Sequence, residues 1–136
     1  MTMKTLKAGL RALLVADASL KRLLGGTVSD PRIYWYYGGD ALISLTLPAY
    51  ITYALISHTE AAGAVESPIF SLALWAINAE TLEDVSTRIE TLLSDQNYTI
   101  GGEKVHMRRI NAADGTQASA QYAGKMLQYR LSWSRV

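Results

Sequence analysis

Residues 69–93 read IFSLALWAINAETLEDVSTRIETLL, and the spacing of their apolar side chains changes near the middle. From Ile69 to Ile77 the pattern alternates, with Phe70, Leu72 and Leu74 on one side and Ser71, Ala73 and Trp75 on the other. Period two predicts a pleated strand, and the apolar content of both sides predicts a central one. From Ala79 to Ser94 the apolar residues Leu82, Val85, Ile89, Leu92 and Leu93 recur at helical spacing, the stripe of an amphipathic helix. Asn78 or Thr81 suits the N-cap, and Glu80, Glu83 and Asp84 lie in or near the first turns, where the helix dipole favours anions. Asp84 and Arg88 stand four apart, placed for a helical ion pair worth about 0.2–0.5 kcal/mol.

Working outward, Tyr50–Ser57 is a second strand, rich in β-branched and aromatic residues, and His58–Pro68 joins it to the first as a small, polar loop. On the C-terminal side Gly101-Gly102 turns into a strand over Glu103–Ile110. The final strand, Lys125–Arg135, alternates: Leu127, Tyr129, Leu131 and Trp133 point one way, and Met126, Gln128, Arg130, Ser132 and Ser134 the other. Between these strands Ala112–Gly124 has no periodicity and reads as a long loop, of a length that usually carries function. At the N-terminus Leu6, Leu10, Leu13 and Leu14 make a helix of Lys4–Ala16, with Lys4, Lys7 and Arg11 on the other side. Asp17 breaks it, Ser19–Leu24 resumes it, and Gly25-Gly26 stops it. The expected architecture is α+β: one domain over residues 1–136, two layers, a mostly antiparallel sheet of four to five strands, and two main helices on one sheet face. The opposite sheet face, with Ser71, Ala73, Trp75, Arg130 and Ser132, then has no helix to cover it.

Arg32–Tyr37 is strand-like, rich in β-favouring aromatics, yet fits neither period. Tyr34, Trp35, Tyr36 and Tyr37 stand side by side before Gly38-Gly39-Asp40, so at least one ring has no obvious place in the chain's own core. One covering is the underside of the first helix, with the remaining rings exposed.

The 136 residues are 49% apolar and 18% charged, which describes a foldable chain rather than a disordered one. No apolar run approaches the roughly 20 residues of a membrane span, and Arg11 interrupts the N-terminal run before it could serve as a signal core. No membrane contact is expected, and the cytoplasm of the producing cell is the default location. The absence of Cys removes disulfides and thiolate chemistry. The net charge of +1 hides an arrangement: residues 1–39 carry +4, residues 40–103 carry −8, and residues 104–136 carry +5. Folding either mixes these blocks or leaves one acidic and one basic surface, suited to meeting another copy head to tail.

No nucleophile elbow, phosphate-cradling loop or dinucleotide fingerprint is present. His58 and His106 lie in different elements, and nothing in their spacing requires convergence on a metal with a carboxylate such as Glu60. Ser57 and His58 are neighbours on a strand and point apart. No catalytic, cofactor-binding or metal-binding residue is assigned. Arg108 and Arg109, with Arg130 and Arg135, suggest a basic stripe across two neighbouring strands, read as a solvated face or a protein interface rather than a nucleic-acid site.

Taken in order, these pieces resemble the tail-terminator, or tail-completion, proteins that join head and tail in long-tailed bacteriophages and related prophages. The matching residues are Arg32-Ile33-Tyr34, then Leu47-Pro48 before Tyr50-Ile51-Thr52-Tyr53, then Ser71-Leu72-Ala73-Leu74-Trp75-Ala76 running into Glu80–Leu93, and lastly Tyr129-Arg130-Leu131-Ser132-Trp133. The chain departs from the family pattern at Trp35-Tyr36-Tyr37, where small and polar residues would follow, and at Ala49, which separates Pro48 from the aromatic.

The resemblance implies a non-enzymatic subunit that forms a ring, commonly a hexamer, on the finished tail tube. The ring stops tube polymerisation and meets the head-side connector protein, with DNA only passing through its lumen. It implies assembly in the cytoplasm of an infected or lysogenic bacterium, and then a place in the virion tail or neck. Tyr34, Trp35, Tyr36, Tyr37, Arg108, Arg109 and Arg130 become the candidate interface residues, and Ala112–Gly124 a segment that orders on tube or connector. The alternatives are another head-completion or connector-ring subunit, a minor tail subunit, or a small ligand-binding domain using the exposed sheet face.

Overall fold

The change of period at Asn78 is where strand gives way to helix. A computed structural model describes residues 2–35, 48–56, 67–114 and 123–133. In it β3 spans Ile69–Ala76 and α3 spans Ala79–Leu93, with the Asn78 side-chain oxygen accepting from Thr81 N at 2.7 Å as the N-cap. The two candidate caps thus meet as acceptor and donor. Before them come α1 (Met3–Val15), α2 (Ala18–Leu24), β1 (Ile33–Trp35) and β2 (Ala49–Ile56), and after them β4 (Gln96–Ile100), β5 (Glu103–Asp114) and β6 (Ala123–Trp133). Asp17 ends α1 and caps α2 by accepting from Leu20 N at 2.8 Å. Gly25 closes α2 in the left-handed region, at φ 70°, where a side chain would be strained.

The strands form one six-stranded sheet in the order β1-β2-β3-β6-β5-β4. All neighbours are antiparallel except β1 and β2, which run parallel with Ile33 opposite Ile51. The order has a simple cause. α3 carries the chain from β3 across one sheet face to the far edge, and β4, β5 and β6 then return, each antiparallel to the strand before it, until β6 pairs with β3.

The α+β class holds, with corrections. The sheet has six strands rather than four to five, and its first pair is parallel. The strand missed by periodicity is β4, an edge strand with Gln96, Asn97 and Thr99 exposed. The expected Ala112–Gly124 loop is corrected at both ends, because β5 continues to Asp114 and β6 begins at Ala123; residues 115–122 lie outside the described residues. Alanines at 112, 113 and 123 carry no period-two signal, so the pattern faded before the strands did.

The core lies between the helices and one sheet face. Leu6, Leu10 and Leu14 of α1, Leu20 and Leu24 of α2, and Leu82, Val85, Ile89 and Leu93 of α3 pack on Ile51, Tyr53, Phe70, Leu72, Leu74, Leu127, Tyr129 and Leu131. Fully burying each such side chain is worth about 1.5–3 kcal/mol against exposure. Gly9 permits the approach of α1 to β4, since a Cβ there would land on the Ile100 Cγ2 methyl.

Arg32 is the buried charge in an otherwise largely apolar interior among the described residues. It is 1% exposed, takes φ 64°, and donates from Nε to the Ala49 carbonyl at 2.9 Å. Its own carbonyl accepts from Ile51 N at 3.0 Å. The first letter of the R-I-Y stretch is thus an internal clamp between β1 and β2 rather than a surface cation.

Candidate interaction surface

Strand alternation puts every second residue of β2, β3, β6 and β5 on the face away from the helices. That open face has two ends of different chemistry. Towards β1 it is aromatic: the Tyr34 ring lies 6.5 Å from Tyr50, and Tyr50 lies 6.3 Å from Trp75. The Tyr34 hydroxyl donates to Asp30 Oδ1 at 2.8 Å, and burial, with that carboxylate second, raises its pKa. Ile56 and Met126 add exposed apolar surface at 48% and 40%.

Towards β4 the face is polar and cationic. Arg108 on β5 stands directly opposite Arg130 on β6, and His106 opposite Ser132. Like charges so placed repel. Lys104 lies two residues before His106 on the same face, opposite Thr99 of β4. The His106 ring pairs through Nδ1 with Asn97 Oδ1 at 3.1 Å, and its Nε2 lies 4.0 Å from Asp95 Oδ1. Asn97, Lys104, His106, Ser132 and Trp133 line a shallow depression here. Neither Arg108 nor Arg130 has an ion-pair partner among the described residues.

The five candidate residues that the structure describes do not converge. Trp35 lies on the helix side of β1: its ring meets Tyr53 edge-on at 5.3 Å, and the Lys7 ammonium of α1 sits 3.5 Å above it. That ring goes under the first helix, while Tyr34 goes to the open face. Tyr36 and Tyr37 lie outside the described residues, as do His58, Glu60 and Arg135. Arg109 also parts from its neighbour. It points to the helix side, opposite Tyr129, and pairs with Glu90 of α3 at 2.5 Å. The basic stripe therefore runs through Arg108 and Arg130 without Arg109.

Among the described residues, acid–base pairs also mix the charge blocks: Glu90–Arg109 at 2.5 Å, Asp17–Arg88 at 2.6 Å, and Glu83–Lys125 at 3.9 Å. The helical pair expected between Asp84 and Arg88 is replaced, because Arg88 turns to Asp17. Among the described residues no three His, Cys, Asp or Glu side chains gather as a metal site, and no helix is long and apolar enough to cross a membrane.

No protein-family model and no curated protein sequence matches this chain. Solved structures do share its fold. A chain in a virion of a native gene transfer agent particle superposes with TM-score 0.71 at 14% identity, over 96% of this chain and 95% of that one. A second solved chain superposes with TM-score 0.60 at 12% identity, over 100% and 99%.

Proposed function

We propose that this chain is a structural subunit of a phage-like particle that caps the tail tube as an oligomeric ring, ends tube polymerisation, and joins the tail to the head-side connector. The observation that carries this reading is the end-to-end sharing of fold with a chain of a gene transfer agent virion, 96% of one chain on 95% of the other. No large insertion separates the two, so the same scaffold serves both. The sequence resemblance to tail-completion proteins supplies the finer role, the ring of six and the two neighbours, tube protein and connector protein. The open sheet face supports it physically, because a face that is aromatic at one end and cationic at the other suits burial against protein. The subunit binds rather than catalyses, assembling in the bacterial cytoplasm and remaining in the virion neck.

Electron microscopy of particles produced without this chain tests the reading. Overlong tails, together with heads left unjoined, are expected. Tails of normal length beside unjoined heads would move the role to a head-completion ring. Normal particles would end the proposal.

A further inference from the structure

Two repulsive pairs of opposite sign sit on opposite outer layers of this molecule. On the open sheet face Arg108 opposes Arg130. On the solvent side of α3, Glu80 and Asp84 stand four residues apart and are both exposed. Like charges so spaced on a helix destabilise it slightly. Among the described residues no other charge forms an ion pair with either pair. Arg88, four residues after Asp84, is held by Asp17, while Lys125 leans to Glu83 and Arg109 to Glu90.

We infer that the cationic end of the open sheet face, Lys104, Arg108 and Arg130, receives Glu80 and Asp84 of a second copy of this chain. This rests on the ring reading above and names the contact that builds the ring. Charge complementarity selects the occupant: the described open face offers cations, and the described helix layer offers the matching carboxylates. Placement selects the geometry. Two patches on one surface would favour a two-fold pair, whereas patches on opposite layers make each copy a donor to one neighbour and an acceptor from the other. Such head-to-tail contacts close into a ring or run on as a filament. The Arg forks suit carboxylates, and Ser132, Gln128 and Asn97 can satisfy remaining acceptors at the rim. Duplex nucleic acid is the rival occupant of a cationic sheet face. It leaves the acidic pair on the other layer unexplained.

The test is a charge exchange on the full chain. R108E/R130E and E80R/D84R are each expected to keep the wild-type circular dichroism spectrum and to self-associate at least about tenfold more weakly in sedimentation at low salt. An equimolar mixture of the two is expected to regain association, since acidic copies then alternate with basic ones. In intact particles, carbodiimide is expected to join Lys104 of one copy to Glu80 or Asp84 of another. Variants that assemble like wild type, a mixture that stays dissociated, or particles without that cross-link would overturn the inference. So would loss of short-duplex DNA binding by R108E/R130E with self-association unchanged. Particles that lose length control without the chain, while the charge variants assemble normally, would end this contact and leave the tail role standing. Working charge exchange in a protein that tails do not need would do the reverse.

Discussion

Arg88 on α3 clasps Asp17, the cap of α2, with Nη2 2.6 Å from Oδ1 and Nε 2.9 Å from Oδ2. The same carboxylate accepts from Leu20 N, so one acidic side chain ends α1, starts α2 and ties both to α3. The Arg88 hydrogen bonds hold the Asp17 carboxyl below its ordinary value; the Leu20 N–H and the guanidinium charge add to this, and burial opposes it. A carboxyl depressed in the fold stabilises it above the unfolded pKa, and that contribution is lost as pH falls through the folded value. Wild type is therefore expected to exceed Asp17→Asn in urea midpoint at neutral pH, with the gap closing below about pH 3.8. Asp17→Ala also removes the cap and should cost about 1–2 kcal/mol at neutral pH. A gap that persists unchanged into acid would assign the effect to packing.

Gly9 makes a prediction opposite to helix propensity. Gly→Ala inside an exposed helix normally gains about 1 kcal/mol. Here the new methyl meets Ile100, which is 6% exposed and held on β4. Gly9→Ala is expected to lower the thermal midpoint, by an overpacking cost of about 1–3 kcal/mol less the propensity gain. Ile100→Ala should be less harmful in the Gly9→Ala background than in wild type. Equal cost in both backgrounds would show that the two sites do not touch.

Arg32 tests whether the R-I-Y stretch is a clamp or a surface feature. Arg32→Ala is expected to destabilise the subunit by about 2–4 kcal/mol, because it removes a buried charged donor from the Ala49 carbonyl. Arg32→Lys should recover little, since an ammonium lacks the Nε donor and the planar fork. Chemical denaturation of the isolated chain reads both. A change within about 0.5 kcal/mol would return Arg32 to the surface.

How far the sequence reveals this fold depends on whether one face of an element is apolar. β3 and β6 declare themselves because Phe70, Leu72 and Leu74, then Leu127, Tyr129 and Leu131, alternate against polar or small residues. The helices do so through their leucine stripes. β4 stays hidden because an edge strand needs little burial, and only Tyr98 and Ile100 hint at it. The parallel β1–β2 pair is invisible, since three residues carry no register signal. Charge partners are the least legible. Local spacing favours Asp84 for Arg88, yet a tertiary neighbour with a caged geometry wins. Arg108 and Arg109 read as one stripe until strand alternation sends them to opposite layers, and that alternation was available in the sequence. Arg32 gives no local sign of burial at all.

The open face yields the last prediction, a contrast between two neighbours on β3 that point to opposite sheet faces. Leu74 is fully buried under the helices, while Trp75 beside it points to the opposite sheet face and is half-buried. Leu74→Ala should cost the isolated chain about 3–5 kcal/mol, through lost transfer energy and the cavity left behind. Trp75→Ala should cost less than half of that, on the order of 1 kcal/mol, because the side chain is only half-buried, with its ring 6.3 Å from Tyr50. Incorporation into particles is expected to reverse the ranking. A folded Trp75→Ala chain should be recovered in particles less often than a Leu74→Val chain of equal or lower stability, since only the former alters the surface offered to a neighbour. Equal incorporation of the two at matched stability would mean that the aromatic end of the sheet stays in solvent after assembly, and would confine the interface to its cationic end.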